Sequence, residues 1–166
     1  NLFRPRRAPR RGAGLEVGEF STVFGIDPAT RTAEVGGMTT YEDLANATMR
    51  HGLLPSVVLD FKTITVGGGV VGTGAESSSF RAGLPHDPVT SMDILTGAGD
   101  VVTATRDNEH ADLFHGFPHS YGSLGYALRL TVGLEPAKPY VRLRHVRMGS
   151  VAEWITALRH VADELG

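Results

Sequence analysis

The stretch Thr65-Val66-Gly67-Gly68-Gly69-Val70-Val71-Gly72-Thr73-Gly74-Ala75-Glu76-Ser77-Ser78-Ser79 constrains this chain more than any other. Glycine tolerates positive φ and removes the side chains that keep backbone away from a neighbour or a ligand. Glycine makes up 21 of 166 residues, near twice the usual share of about 7%, and this run holds the densest cluster. Two readings fit such a run. It is a loop whose successive N–H groups converge on an anion such as a pyrophosphate, or a turn that lets two elements approach closely. No lysine lies inside it, so an anion there must be held by N–H and hydroxyl donors. Thr73, Ser77, Ser78 and Ser79 would supply the hydroxyls.

Known anion loops fit incompletely. Gly67, Gly69 and Gly72 match the spacing GxGxxG of dinucleotide-binding turns. That fingerprint needs an apolar helix directly after it and an acidic residue about 20 positions on. The sequel TGAESSSFRAGLPHDP has no apolar helical period. A phosphate loop of the Gly-Lys-Ser/Thr type is absent. A nicotinamide-dinucleotide domain remains an alternative, and it requires a helix from about Gly69 and a parallel sheet.

Around the run the pattern is α+β. Residues 20–37 read as a hairpin turning at Asp27-Pro28-Ala29-Thr30-Arg31, where proline presets φ and aspartate bonds nearby backbone. Thr39 with Glu42 reads as a capping box. The helix it opens has Leu44, Ala47 and Thr48 on one face and stops at Gly52. Val57-Val58 and Thr63-Ile64-Thr65-Val66 read as short β-branched stretches, so the glycine run is expected to follow a strand. Residues 91–96 and 100–105 form a second hairpin over Gly97-Ala98-Gly99. Asp112-Leu113-Phe114 starts a short helix. A second glycine loop, Tyr121-Gly122-Ser123-Leu124-Gly125, precedes a strand with apolar residues at Tyr126, Leu128, Leu130, Val132 and Leu134. The alternation of residues 140–147 predicts one more strand with a wet face. Residues 150–165 predict a helix with Ser150 and Glu153 as its capping box, Trp154 in a core-facing stripe and Gly166 as its stop. Helices do not alternate regularly with strands, which argues against a doubly wound parallel sheet.

Other function classes find little support. The formal charge of −2 does not favour nucleic acid. The arginine-rich residues 1–14 lack interleaved aromatics and read as a solvated connector. The chain has no cysteine, which excludes a disulfide scaffold, a thiolate zinc site and a covalent cysteinyl link. It suits a reducing compartment, and the expected location is cytoplasmic. No apolar run reaches the length of a membrane helix. His115 and His119 are four apart, but Pro118 interrupts any helix that would align them as a metal pair, so no metal is expected. Asp87 reads as a turn cap beside His86. Glu76 either turns away to bond backbone N–H groups or approaches a hydroxyl of a bound ligand. No catalytic residue is assigned.

TVGGGVVGTGAESSSFRAGLPHDPV resembles the second flavin-binding segment of the vanillyl-alcohol oxidase/p-cresol methylhydroxylase (PCMH-type) FAD domain, through Thr65, Gly67, Gly68, Ser79, Gly83 and Asp87. Asp112-Leu113-Phe114 and SYGSLGYALRLTV are similar to two further motifs of that family. TVGG, GTG and ESSS, the run from Asn108 to Phe114, and Lys138-Pro139-Tyr140-Val141-Arg142-Leu143 resemble the sterol delta-24 reductase branch. The resemblance covers roughly residues 2–147. It implies FAD as cofactor, held by Thr65, Val66, Gly67, Gly68, Gly69, Gly72, Thr73, Gly74, Glu76, Ser77 and Ser78, with Gly125 near the adenosine half. It implies the second subdomain of that fold, a mixed or antiparallel sheet flanked by helices over residues 15–147. Residues 148–166 then lead towards a substrate-binding cap. The family's first glycine loop and that cap are expected to lie outside the chain. The implied activity of the intact parent is flavin-dependent oxidation or reduction of an alkene or alcohol in a hydrophobic, sterol-like substrate. The alternative is a domain that keeps the fold but does not hold FAD alone.

Overall fold

The computed structural model describes residues 16–165. The basic connector at 1–14 and the stop at Gly166 lie outside the described residues.

Six strands form the sheet: β1 (Val23–Asp27), β2 (Thr32–Gly36), β3 (Leu53–Pro55), β4 (Val89–Leu95), β5 (Val101–Thr105) and β6 (Tyr126–Pro136). The order is β1-β2-β6-β4-β5, with β3 paired to the far end of β6, and every pairing is antiparallel. Both sequence-predicted hairpins are present. Asp27 Oδ1 accepts from the Ala29 N–H at 2.8 Å and holds the first turn. β6, at 11 residues, is the central strand and carries three partners. Its period-2 pattern sorts the faces. Leu130, Val132 and Leu134 point into the core with Ala33, Val35, Met92, Ile94 and Ala104. Glu34, Asp93, Arg129 and Thr131 line the opposite, polar face.

The helices cover the apolar face. They are α1 (Tyr41–Met49), α2 (Val66–Val71), α3 (Ser79–Ala82) and α4 (Ala111–Gly116), with α5 (Val151–Leu165) following the sheet. Tyr41 and Leu44 of α1, Val66 and Val70 of α2, and Phe114 with Phe117 at α4 join the strand residues in one buried cluster. Burying a side chain of this size stabilises by roughly 1.5–3 kcal/mol, so this layer dominates the stability of the domain. Arg81 grips Glu135 with two hydrogen bonds, 2.9 and 3.2 Å, tying α3 to β6.

Four expectations are corrected. The α1 cap is Thr40, whose hydroxyl accepts from the Asp43 N–H at 3.1 Å. Thr39 is buried and donates its hydroxyl to the Thr22 carbonyl at 3.0 Å. Residues 57–58 and 63–66 form no strand; Thr65 makes a lone bridge to Thr40, and the strand of this region is β3. Residues 140–147 form no ladder, and Tyr140, Val141 and Leu143 are exposed. α5 forms with its capping serine, the Glu153 N–H donating to Ser150 Oγ at 3.2 Å. Its apolar stripe of Val151, Trp154, Leu158 and Val161 is nevertheless exposed. Trp154 is therefore not a core residue of the described structure.

Candidate FAD site

Thr65 opens the glycine run as the N-cap of α2, its hydroxyl accepting from the Gly68 N–H at 3.2 Å. The expectation of a loop following a strand is corrected here to a short helix of 6 residues. Glycine is a poor helix former. This turn is held by tertiary bonds instead: the Val66 N–H donates to the Thr39 carbonyl at 2.8 Å and the Gly67 N–H to the Gly37 carbonyl at 2.9 Å. Gly67 is glycine because of that approach. A Cβ there would lie 2.8 Å from the Gly37 carbonyl oxygen. Gly69 is buried against the Tyr41 ring, where burial pushes the phenol pKa up. The close-approach reading holds for Gly67 and Gly69, whereas Gly68 is exposed.

The N–H groups of Val66, Gly67, Gly68 and Gly69 all have partners within the chain. The start of α2 thus offers no spare donors. The spare donors lie after it. Among the described residues, the N–H groups of Thr73, Gly74, Ala75, Ser77 and Ser78 make no hydrogen bond within the chain. Thr73, Ala75 and Ser77 are exposed. An exposed row of unpaired N–H groups with threonine and serine hydroxyls suits a phosphate or pyrophosphate without any formal cation.

Glu76 resolves one of its two readings. Its Oε1 accepts from the Asp60 N–H at 3.0 Å, and its own N–H donates to Ser79 Oγ at 3.0 Å. One carboxylate oxygen is thereby engaged by the backbone 16 positions earlier. Ser78 Oγ donates to the Ser56 carbonyl at 3.4 Å.

The second glycine loop meets the first. The His119 and Tyr121 N–H groups donate to the Val70 and Val71 carbonyls at 3.2 and 2.9 Å. His119 Nδ1 lies 3.1 Å from the Gly72 carbonyl oxygen. The Tyr121 and Thr73 hydroxyls are 2.8 Å apart. His119 and Tyr121 are absent from the sequence-derived site, although Tyr121 opens its second loop and His119 lies two residues before it. Gly125 sits at φ 139, where a Cβ would strike the Leu95 carbonyl oxygen; its glycine is required by the adjoining β4 strand. Asp87 caps a turn as expected, accepting from the Leu84 N–H at 2.6 Å. His86 stacks edge-on to His119 with ring centroids 4.8 Å apart. Burial lowers its pKa below the ordinary 6.5, with His119 and Arg106 adding to the effect and Asp87 opposing it. Among the described residues no group of three or more metal-ligating side chains converges.

The all-antiparallel sheet and the short α2 exclude the nicotinamide-domain reading, which requires a parallel sheet and a long helix. Residues 5–105 match the family model described as "FAD binding domain". The chain belongs to this FAD-binding domain family. The chain is 35% identical over 132 residues to the Delta(24)-sterol reductase of Arabidopsis thaliana, covering 80% of this chain and 24% of that protein. It is 39% identical over 132 residues to Cytokinin dehydrogenase 6 of Oryza sativa subsp. japonica, covering 80% of this chain and 25% of that protein. The human Delta(24)-sterol reductase is 32% identical over 130 residues, covering 78% of this chain and 23% of that protein. The chain therefore spans about a quarter of the length of the curated relatives it matches. FAD is the cofactor of the FAD-binding domain, and the α+β architecture with its antiparallel sheet is that of the PCMH-type fold. No helix of the described residues is long and apolar enough to cross a membrane.

Proposed function

We propose that this chain is the FAD-binding portion of a flavin-dependent oxidoreductase, with residues 72–78 receiving the pyrophosphate. The observation that carries the reading is the set of N–H groups of Thr73, Gly74, Ala75, Ser77 and Ser78, unpaired among the described residues, with Thr73, Ala75 and Ser77 exposed. It follows a helix whose own N-terminal donors are occupied. When bound, FAD supplies the hydride chemistry through its isoalloxazine ring, while the protein binds and orients it. In this reading Thr65, Val66, Gly67 and Gly69 shape the turn. Gly68, Gly72, Thr73, Gly74, Ser77 and Ser78 face the cofactor, Glu76 braces the turn from behind, and Gly125 lies towards the adenosine half.

The intact parent acts on an alkene or alcohol in a hydrophobic substrate. Support comes from the relatives, whose names are those of a sterol reductase and a cytokinin dehydrogenase. Residues 15–147 form the cofactor domain in this reading, and residues 148–166 connect it to a substrate domain. The test is the absorption spectrum of the full-length protein, before and after anaerobic addition of an allylic alcohol to the oxidised flavin, or of a sterol alkene to flavin reduced beforehand with no excess reductant. Flavin that co-purifies and changes redox state with either compound is the expected result. A flavin-free protein that takes up none on reconstitution overturns the proposal.

A further inference from the structure

The strongest feature left outside that reading is the clasp between the two glycine loops. Segments nearly fifty positions apart meet in four contacts. His119 and Tyr121 N–H groups bond the Val70 and Val71 carbonyls, His119 Nδ1 reaches the Gly72 carbonyl, and the Tyr121 hydroxyl reaches that of Thr73. The carbonyls at a helix C-terminus lack intrahelical partners. Here they are satisfied by the second loop. Because a carbonyl only accepts, the His119 contact places the proton on Nδ1.

Two observations separate this clasp from ordinary packing. His119 and Tyr121 adopt φ of 61° and 52°, a left-handed backbone that residues with bulky side chains rarely hold. The surrounding bonds impose it. Tyr121 is also 74% exposed, so its ring is not buried for stability, yet its hydroxyl is aimed at Thr73. Thr73 is the first of the unpaired donors and lies between Gly72 and Gly74, where the backbone has the most freedom to lose on binding.

We propose that Tyr121 is a positioning residue for the flavin: its hydroxyl, through Thr73, holds the donor row of residues 73–78 in the conformation that receives the pyrophosphate. This rests on the FAD reading given above. The hydroxyl pair pre-orders a glycine-flanked turn, so the ordering cost is met on folding and not on binding. His119, on the Gly72 carbonyl, holds the same end of the turn one residue earlier.

The test is a double-mutant cycle on the full chain, titrated with FAD by flavin fluorescence, with thermal melting alongside. Tyr121→Phe and Thr73→Val each remove one hydroxyl and keep the shape. Each is expected to weaken FAD binding roughly five- to tenfold, the scale of one lost hydrogen bond. The double variant binds no more weakly than the weaker single variant, because both remove one interaction. Thr73→Ser, which keeps the hydroxyl, restores the wild-type affinity. Melting temperatures stay together, since the pair is exposed. Unchanged affinity in the single variants, strictly additive losses, or a fall in melting temperature that tracks the affinity overturns the positioning role while leaving the FAD reading intact. A full-length wild-type protein with no saturable FAD binding overturns both.

Discussion

The Glu76 carboxylate and the Asp60 N–H, 16 positions apart, are joined at 3.0 Å. This contact ties the one acid of the glycine run to the segment after β3. Replacing Glu76 by alanine leaves the Asp60 N–H without its partner. The expected cost is about 1–2 kcal/mol of stability, read as a lower midpoint in chemical denaturation. Glu76→Gln keeps an acceptor at the same place and is expected to lose less than half of that.

Gly67 and Gly97 make a matched pair for the close-packing argument. A Cβ on Gly67 meets the Gly37 carbonyl oxygen at 2.8 Å, whereas a Cβ on Gly97 meets nothing within 4 Å. Gly67→Ala is expected to destabilise by about 1–3 kcal/mol, because neither backbone can yield without moving α2 or β2. Gly97→Ala is expected to stay within about 0.5 kcal/mol of the parent, as for a surface site. Equal midpoints for the two variants contradict the packing described for α2.

Leu130 lies at the centre of β6 and is fully buried against β2 and β4. Leu130→Ala is expected to cost about 2–5 kcal/mol, from lost transfer energy and the cavity left behind. Arg129, the next residue, points to the polar face. It pairs with Glu34, and its guanidinium lies 4.2 Å from the Phe24 ring centroid. Both charged partners are partly exposed, so Arg129→Met is expected to cost only about 1 kcal/mol. Comparing the two denaturation midpoints checks which face of the sheet carries the core.

His86 gives the domain a pH dependence with a definite sign. Burial holds its folded-state pKa below the ordinary 6.5. Between that lowered value and 6.5, the unfolded chain binds more protons than the folded one. Stability is then complete above about pH 6.5 and is lost as pH falls towards the folded-state value. Melting temperatures from pH 5 to 8 check this. His86→Gln is expected to flatten the lower part of that profile, whereas an unchanged slope contradicts the assignment.

What was legible in the sequence is what local chemistry decides. The hairpin at Asp27 and the one at Gly97 follow from turn residues between alternating strands. β6 follows from its period of two. The 63–66 segment shows the limit. Its β-branched Thr-Ile-Thr-Val signals a strand, yet Thr65 caps a helix made largely of glycine. The bonds that hold that helix reach back to Gly37 and Thr39, and only tertiary structure supplies them. The alternation of residues 140–147 misled for the same reason, since a strand needs a ladder partner and none pairs with it among the described residues. The glycine run and its family likeness were readable. Which of its donors are spare was not, because Val66 to Gly69 are occupied by distant carbonyls and by the Thr65 cap. The clasp of His119 and Tyr121 is equally non-local.

In the proposed function the donor row after α2 holds the FAD pyrophosphate. Ala75 stands exposed in that row with an unpaired N–H. The decisive measurement is the FAD dissociation constant of the chain and of Ala75→Glu, by flavin fluorescence, with NAD as the control ligand. The expected result is saturable binding of FAD but not NAD, and at least a tenfold loss on placing a carboxylate beside the pyrophosphate, with the melting temperature unchanged. Equal FAD affinity in the two proteins, or binding of NAD in place of FAD, would contradict it.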